Sequence, residues 1–324
     1  MLTPDQLQEK INEAIDKLPV YGQPDGLYQP IAYTLKQGGK RLRPMLALMS
    51  TQAFDGNPVD ALPAAIAIEI FHNFTLLHDD IIDEAPLRRG NETVYKKWNI
   101  NTAILSGDTM FAIAYGQLSA SAPKYLPELM QVFTQTAIEV CEGQQYDIDF
   151  ETSGSVNIQG YLNMIRLKTA VLLAASLKIG AIIGNASPGD CEKIYLFGEN
   201  LGIAFQLQDD LLDAFGNESL FGKKTGGDIL TNKKTFLYLK ALECSSDEDT
   251  ARLKELYAHR NMKDDDKINS VLELFKKADI EKRTDTVILD YFNKAMEQMQ
   301  QIVLPESNKS ALIALATSML KRNH

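Results

Sequence analysis

Residues 61–83 read ALPAAIAIEIFHNFTLLHDDIID, a long apolar run that ends in three aspartates. Pro63 stands where the first turn of a helix tolerates a missing N–H. From Ala61 to Leu77 the run is apolar nearly all round, the pattern of a helix at the centre of a bundle. At 100° per residue, Asp79, Asp83 and Asp80 fall at about 0°, 40° and 100° on the helical wheel. The three carboxylates therefore share one face. The same spacing recurs at Asp209-Asp210-Leu211-Leu212-Asp213, again behind an apolar helix, Leu201 to Leu207. Like charges on one helical face repel, and near an apolar interior the cost grows unless cations bind there. Carboxylates without His or Cys suit a hard ion such as Mg²⁺, which bridges a few acidic side chains to substrate phosphates.

Outward from these two motifs the chain reads as helix from end to end, and alternating strand-like runs are nearly absent. Leu7, Ile11, Ala14, Ile15 and Leu18 form an amphipathic stripe closed by Pro19. Pro44 and Pro127 mark further helix starts. Asp55-Gly56-Asn57-Pro58 and the stretch from Gly184 to Gly189 read as breaks, and Thr169 to Ile183 as a second central helix. No Ser/Gly-rich linker divides the chain, so residues 1–324 read as one all-α domain, a single-domain helical bundle. Ser245–Thr250 and Lys263–Lys267 read as surface turns or helix caps.

The composition narrows the function. The chain has 324 residues, 45% of them apolar, with a formal net charge of -10 and no long basic stripe. Such a chain repels nucleic acid, and an anionic substrate would need local cations or a metal. Cys141, Cys191 and Cys244 are too few and too scattered for a disulfide framework or zinc site. The polar N-terminus is unlike a secretory signal, and the apolar stretches 61–77 and 170–183 read as too short or too interrupted to span a bilayer. The expected location is the cytoplasm.

Cations stand where a diphosphate reader needs them. Gly38-Gly39-Lys40-Arg41-Leu42-Arg43-Pro44 sets three beside a glycine turn and a helix start. Arg88-Arg89-Gly90 follows the first aspartate motif, close enough to fold back over it. Lys168-Thr169 opens an apolar helix, and Lys223 and Lys233 flank Gly226-Gly227-Asp228. His72 precedes Asp79 by seven residues, about 20° away on the wheel, and faces the same side. His78 points elsewhere and has no assigned role.

In this order GGKRLRP, LLHDDIIDEAPLRRG, LSGDTMFA, EGQQYD, RLKTA, FQLQDDLLD and GGDILTNKKT resemble the signatures of the trans-prenyltransferases, the short-chain farnesyl and geranylgeranyl diphosphate synthases and their longer-chain kin. The likeness runs from about residue 35 to 240. It implies an all-α bundle with a deep central cavity, usually a homodimer, that adds isopentenyl diphosphate to dimethylallyl, geranyl or farnesyl diphosphate. By the same likeness Asp79, Asp83 and Asp209, supported by Asp80, Asp210 and Asp213, would hold up to three Mg²⁺ ions. Arg88, Lys168 and Lys233, with Lys223 beside them, would hold the allylic diphosphate. Lys40, Arg43, His72 and Arg89 would hold isopentenyl diphosphate, and Thr169 and Gln206 would lie beside the developing allylic cation.

Product length is expected to depend on what lies before Asp79. A tail running back along this helix meets Thr75 or Phe74 after about 6–8 Å. On wheel angle alone Phe74 is core; in the family an aromatic at this position goes with short products. The C20 product is expected ahead of C15, and C30 or longer less so. Three competing readings stand beside a synthase: a cyclase or head-to-head condensing enzyme, a non-catalytic regulatory subunit, and a plain helical scaffold. The completeness of both acidic motifs and the basic set argues against them.

Overall fold

Each of the three marker prolines does what its position predicts: Pro44, Pro63 and Pro127 all fall in the first turn of a helix. The computed structural model describes residues 2–153, 155–216, 225–258 and 262–320. Its helices are α1 (Pro4–Asp16), α2 (Asp25–Lys36), α3 (Leu42–Ala53), α4 (Leu62–Ile82), α5 (Val94–Lys97), α6 (Ile100–Ser119), α7 (Leu126–Thr152) and α8 (Ile158–Ile165). There follow α9 (Val171–Ile183), α10 (Pro188–Phe215), α11 (Gly227–Leu230), α12 (Phe236–Cys244), α13 (Asp247–Ala258), α14 (Asp264–Lys277), α15 (Ile280–Gln301) and α16 (Glu306–Leu320). A five-residue π turn, Arg166–Ala170, joins α8 to α9. The class is all-α. Among the described residues the exception is a hairpin of two-residue strands, β1 (Leu87–Arg88) and β2 (Asn91–Glu92), with Leu87 opposite Glu92. Strands this short leave no periodicity in a sequence.

The chain forms two compact units, and it changes unit inside α7, α9, α10 and α16. The first holds residues 1–135, 175–192 and 304–312. At its centre α4 packs along α6 and against α3. The apolar stripe of α1 is covered as its spacing requires, with Leu7, Ile11 and Ile15 all buried. Where α9 meets α3 the backbones nearly touch, since a Cβ on Gly180 would lie 2.2 Å from the Ala47 carbonyl oxygen. Ser50 Oγ donates to the Leu177 carbonyl at 2.7 Å, and Thr51 Oγ1 to that of Gly180 at 2.9 Å. The run Pro58–Ile82 is long and apolar enough to cross a membrane, contrary to the expectation from its interruptions. Its most apolar window is 61% buried inside the protein, so packing accounts for most of that surface.

The second unit holds residues 136–174, 193–303 and 313–324. Tyr161, Leu207, Leu211, Phe236, Val271 and Phe275 belong to its core. Lys234 closes the C-terminus of α7. Its Nζ donates to the carbonyls of Phe150, Glu151 and Ser153 at 2.8, 3.2 and 2.6 Å. Helix ends leave such carbonyls without partners and carry partial negative charge, so an ammonium there satisfies both needs.

Candidate active site

The first aspartate motif lies at the end of α4, with Asp83 as its C-cap. Asp79 is half-buried, Asp83 exposed and Asp80 buried. The second motif, near the end of α10, also buries its second aspartate: Asp210 is buried, while Asp209 is exposed and Asp213 half-buried. One face for all three carboxylates, as the wheel has it, is therefore too simple. At about 100° from the first aspartate, the second in each motif turns inward and becomes a hydrogen-bonded interior group. Asp80 accepts from Arg88 Nε at 2.7 Å. Burial pushes its pKa up, while Arg88 opposes the shift. Arg88 does fold back from the β1–β2 hairpin, but onto Asp80.

Asp210 accepts from Tyr161 Oη at 2.5 Å and from Gln206 Nε2 at 3.1 Å. Gln206 Oε1 in turn accepts from Thr169 Oγ1 at 3.1 Å. Thr169, Gln206, Asp210 and Tyr161 thus form one chain of hydrogen bonds. Burial, then Asp228, raises the Asp210 pKa to about 8. Tyr161 is driven well above its ordinary range, by burial and by Asp210. Asp213 acts instead on the backbone. Its Oδ2 accepts from the Asp228 N–H at 2.9 Å, and its carbonyl accepts from Gly226 N at 2.6 Å. With φ at +87°, Gly226 supplies the left-handed turn that starts α11. The expected Gly-Gly-Asp turn is thus fastened to the last aspartate of the motif.

Lys168 and Thr169 do not open a helix. They sit in the π turn between α8 and α9, an irregularity that recurs at functional sites. Gly143 of α7 lies against it, since a Cβ there would come within 2.3 Å of the Lys168 nitrogen. Lys168 Nζ donates to Asp147 Oδ2 at 2.5 Å, and Lys233 Nζ lies 3.7 Å from the same oxygen. Burial works to raise the Asp147 carboxyl, but Lys233 and Lys168 carry it below its usual value. Asp147 thus unites the two lysines expected at the allylic diphosphate, and reading the sequence did not single it out. It closes the EGQQYD signature, yet nothing in its spacing from Lys168 marks the contact. Lys223 lies outside the described residues.

In the first unit, Lys40 and Arg89 are exposed and Arg43 and His72 half-buried. Arg43 Nη1 lies 3.0 Å from His72 Nε2. A guanidinium only donates, so His72 Nε2 must accept, with the ring proton on Nδ1. The His72 pKa lies well below its ordinary value, by burial first and then by Arg43, Arg89, Arg88 and Arg41. Arg43 Nε is buried without a hydrogen-bond partner, and burial lowers that guanidinium to about 10, so it stays charged at neutral pH. A cation with a buried, unused donor is suited to an anionic ligand.

Arg41, between Lys40 and Arg43, has another role. It takes a left-handed φ of +47° and caps α3. Its Nη1 pairs with the buried Glu69 at 2.6 Å, and its Nη2 donates to the Leu35 carbonyl at 2.6 Å. Asn73 Nδ2 also donates to Glu69 Oε1, at 3.0 Å. Arg89 Nη1 donates to the Gly38 carbonyl. The glycine turn is thus anchored on both sides.

Phe74 stacks on Phe111 of α6, with centroids 5.2 Å apart and planes at 24°, and also touches Phe71 and His78. Phe111 continues to Tyr115, and Tyr115 to Phe133. Phe74 is therefore one member of an aromatic layer. Thr75 Oγ1 turns back to the His72 carbonyl at 2.8 Å. His78 rests against Gly107 of α6.

The donor set fits magnesium: carboxylate oxygens at two helix ends, with no thiol or imidazole among them. Among the described residues, no three His, Cys, Asp or Glu side chains are gathered into a ready-made cage. Magnesium usually takes only one or two carboxylates and completes its shell with water and substrate phosphate.

An all-helical chain with paired aspartate motifs, flanking lysines and arginines and an aromatic layer defines a diphosphate-handling enzyme of the isoprenoid synthase type. Comparison with known proteins gives the particular family. The polyprenyl synthetase family profile matches residues 24–275. A short chain isoprenyl diphosphate synthase of Methanothermobacter thermautotrophicus is 35% identical over 99% of this chain and 96% of its own. A geranylgeranyl diphosphate synthase of Methanosarcina mazei is 42% identical over 72% of each chain. A solved geranylgeranyl pyrophosphate synthase superposes with a TM-score of 0.95 at 45% identity, over 100% of both chains. The chain belongs to the polyprenyl synthetase family. It is a prenyltransferase, condensing isopentenyl diphosphate head-to-tail with an allylic diphosphate in a magnesium-dependent reaction that yields a short-chain prenyl diphosphate.

Proposed function

We propose that the product is geranylgeranyl diphosphate, built from dimethylallyl, geranyl or farnesyl diphosphate. The observation that carries this reading is the stack of Phe74 on Phe111, five residues before the first aspartate, with small Thr75 beside it. A large aromatic pair limits the tail, while Thr75 leaves more room than a second aromatic would. The names of the relatives favour C20 as well. A C15 product is the second reading, favoured by the further aromatics Phe71 and Phe111 packed on Phe74.

In this reading Lys168 and Lys233 bind the allylic diphosphate and neutralise charge as it departs, held at one spacing by Asp147. Arg88 joins them. Asp79, Asp83 and Asp209, with Asp80, Asp210 and Asp213 in support, would hold up to three magnesium ions, which would supply the remaining charge neutralisation on the leaving group. Thr169 and Gln206 present their dipoles to the allylic cation, and the bond from Gln206 to Asp210 fixes that amide. Lys40, Arg43, His72 and Arg89 hold isopentenyl diphosphate so that its alkene attacks the cation. The proton lost afterwards goes to the departing diphosphate, and the apolar walls exclude water from the cation. Residues 1–324 act as one catalytic domain, as a homodimer in the cytoplasm. The exposed apolar residues Ile100, Ile104 and Leu105 on α6 support the dimer.

The test is incubation with isopentenyl diphosphate and each allylic primer, with and without Mg²⁺, with products read by mass. Accumulation of C20 supports the reading, and accumulation of C15 replaces it with the second. Phe74→Ala is expected to move products to C25 and beyond. An unchanged profile would remove Phe74 as the limit.

A further inference from the structure

The last 80 residues of the chain carry none of the quoted signatures, and Lys263–Lys267 reads as surface. The structure corrects this for Lys267, in the first turns of α14, which is only 4% exposed. Burying an ammonium costs both hydration and side-chain freedom, so its partners matter. Its Nζ donates to Asn232 Oδ1 at 2.5 Å, and the Tyr257 ring centroid lies 5.9 Å away.

Asn232 occupies the left-handed region at φ +59°, between α11 and Lys233. The turn is closed by Asn232 N donating to the Ile229 carbonyl at 3.2 Å and Lys233 N to that of Asp228 at 2.9 Å. The Asn232 side chain is the handle by which α14 grips this turn. The next residue of α14 props the other end: a Cβ on Gly226 would lie 2.7 Å from Ile268 Cδ1. Lys267 and Ile268 therefore contact both ends of the 226–232 turn. From that turn Lys233 extends towards Asp147, which also holds Lys168.

We propose that Lys267 is a positioning residue for allylic diphosphate binding, pinning Asn232 and so fixing the backbone from which Lys233 reaches the ligand. The proposal rests on the reading of Lys233 as a ligand of that diphosphate. It gives the last 80 residues, which carry none of the quoted signatures, a role in the site, with α14 as the platform of the turn that carries Lys233.

The experiment is steady-state kinetics of the full chain, varying geranyl diphosphate and isopentenyl diphosphate separately. Lys267→Met is expected to raise KM for geranyl diphosphate about tenfold, as a misplaced binding group would, leaving KM for isopentenyl diphosphate unchanged. Lys267→Arg should recover most of the loss. Asn232→Gly keeps the backbone conformation while deleting the handle, so it should reproduce the effect and stand in if Lys267→Met does not fold. The double variant should be no worse than either single one. Lower thermal stability with both KM values intact, or additive losses in the double variant, would overturn the proposal. Lys233→Ala separates the two levels. If it raises KM for geranyl diphosphate and Lys267→Met does not, the positioning role alone fails. If Lys233→Ala leaves that KM unchanged, the reading of Lys233 is at fault and the proposal falls with it.

Discussion

His72 accepts a hydrogen bond from a guanidinium that has no lone pair to offer, and this fixes its charge as neutral. Protonation would place a further cation among Arg43, Arg89, Arg88 and Arg41, all of which lower its pKa along with burial. The sign of the pH effect follows. The folded-state pKa lies below the unfolded value of about 6.5, so the unfolded chain binds the extra proton first. The contribution of His72 to stability is complete above about pH 6.5 and is lost as pH falls, by up to about 1.4 kcal/mol per unit. Denaturant titrations of the ligand-free protein between about pH 7.5 and 5, a range spanning the ordinary histidine pKa, should show this loss. His72→Gln should flatten the curve, and an equally steep curve for the variant would assign the slope to other groups. Residues of one type separate at this scale. Adjacent Lys233 and Lys234 share a motif, yet one reaches Asp147 and the other closes α7. Arg41 and Arg43 differ likewise, one spent on Glu69 and the other keeping a buried donor.

Among the elements, α7 and the π turn beside it are tied through a missing side chain. An alanine in a helix interior is ordinarily about 1 kcal/mol better than glycine, so Gly143 in the middle of α7 looks like a cost. It is required because the backbone of Lys168 occupies the space where its Cβ would lie. Gly143→Ala should therefore destabilise by about 1–3 kcal/mol through overpacking and displace Lys168, raising KM for the allylic diphosphate. Gly116, on α6, has nothing within 4 Å of its hypothetical Cβ. Gly116→Ala should be neutral or stabilising by up to about 1 kcal/mol. Thermal melts of the two variants side by side check the argument, and equal effects would refute it. Helices α4 and α7 were legible because prolines mark their starts and apolar runs their cores. The π turn was not, because its close contact with Gly143 is made by another helix and leaves no local pattern in residues 166–170.

For the whole molecule, the open question is assembly. Ile100, Ile104 and Leu105 expose about half of their surface on α6: 51%, 41% and 59%. Water contact for three large apolar side chains on one helix is costly, at roughly 25 cal/mol per Å², and a second copy would remove it. Light scattering after size exclusion should give twice the chain mass of 36.1 kDa. Leu105→Glu should shift the population towards monomer, because a buried carboxylate at a dimer contact has no compensation. A monomeric mass for the unaltered chain would sink the dimer.

The sequence by itself determined the helical class, the two aspartate motifs, the cations around them and the family they resemble. Those features are local: a periodicity, a proline, a spacing within two turns of one helix. Only the tertiary structure decided which aspartate of each motif turns inward, and that Arg88 donates through Nε to Asp80. It also decided that Asp147 holds Lys168 and Lys233 together, and that Lys267 is buried beneath Asn232. Each of these pairs residues from different elements of the chain. The free energy of such a pair depends on burial and on a partner's position, and neither is written in the residues adjoining it.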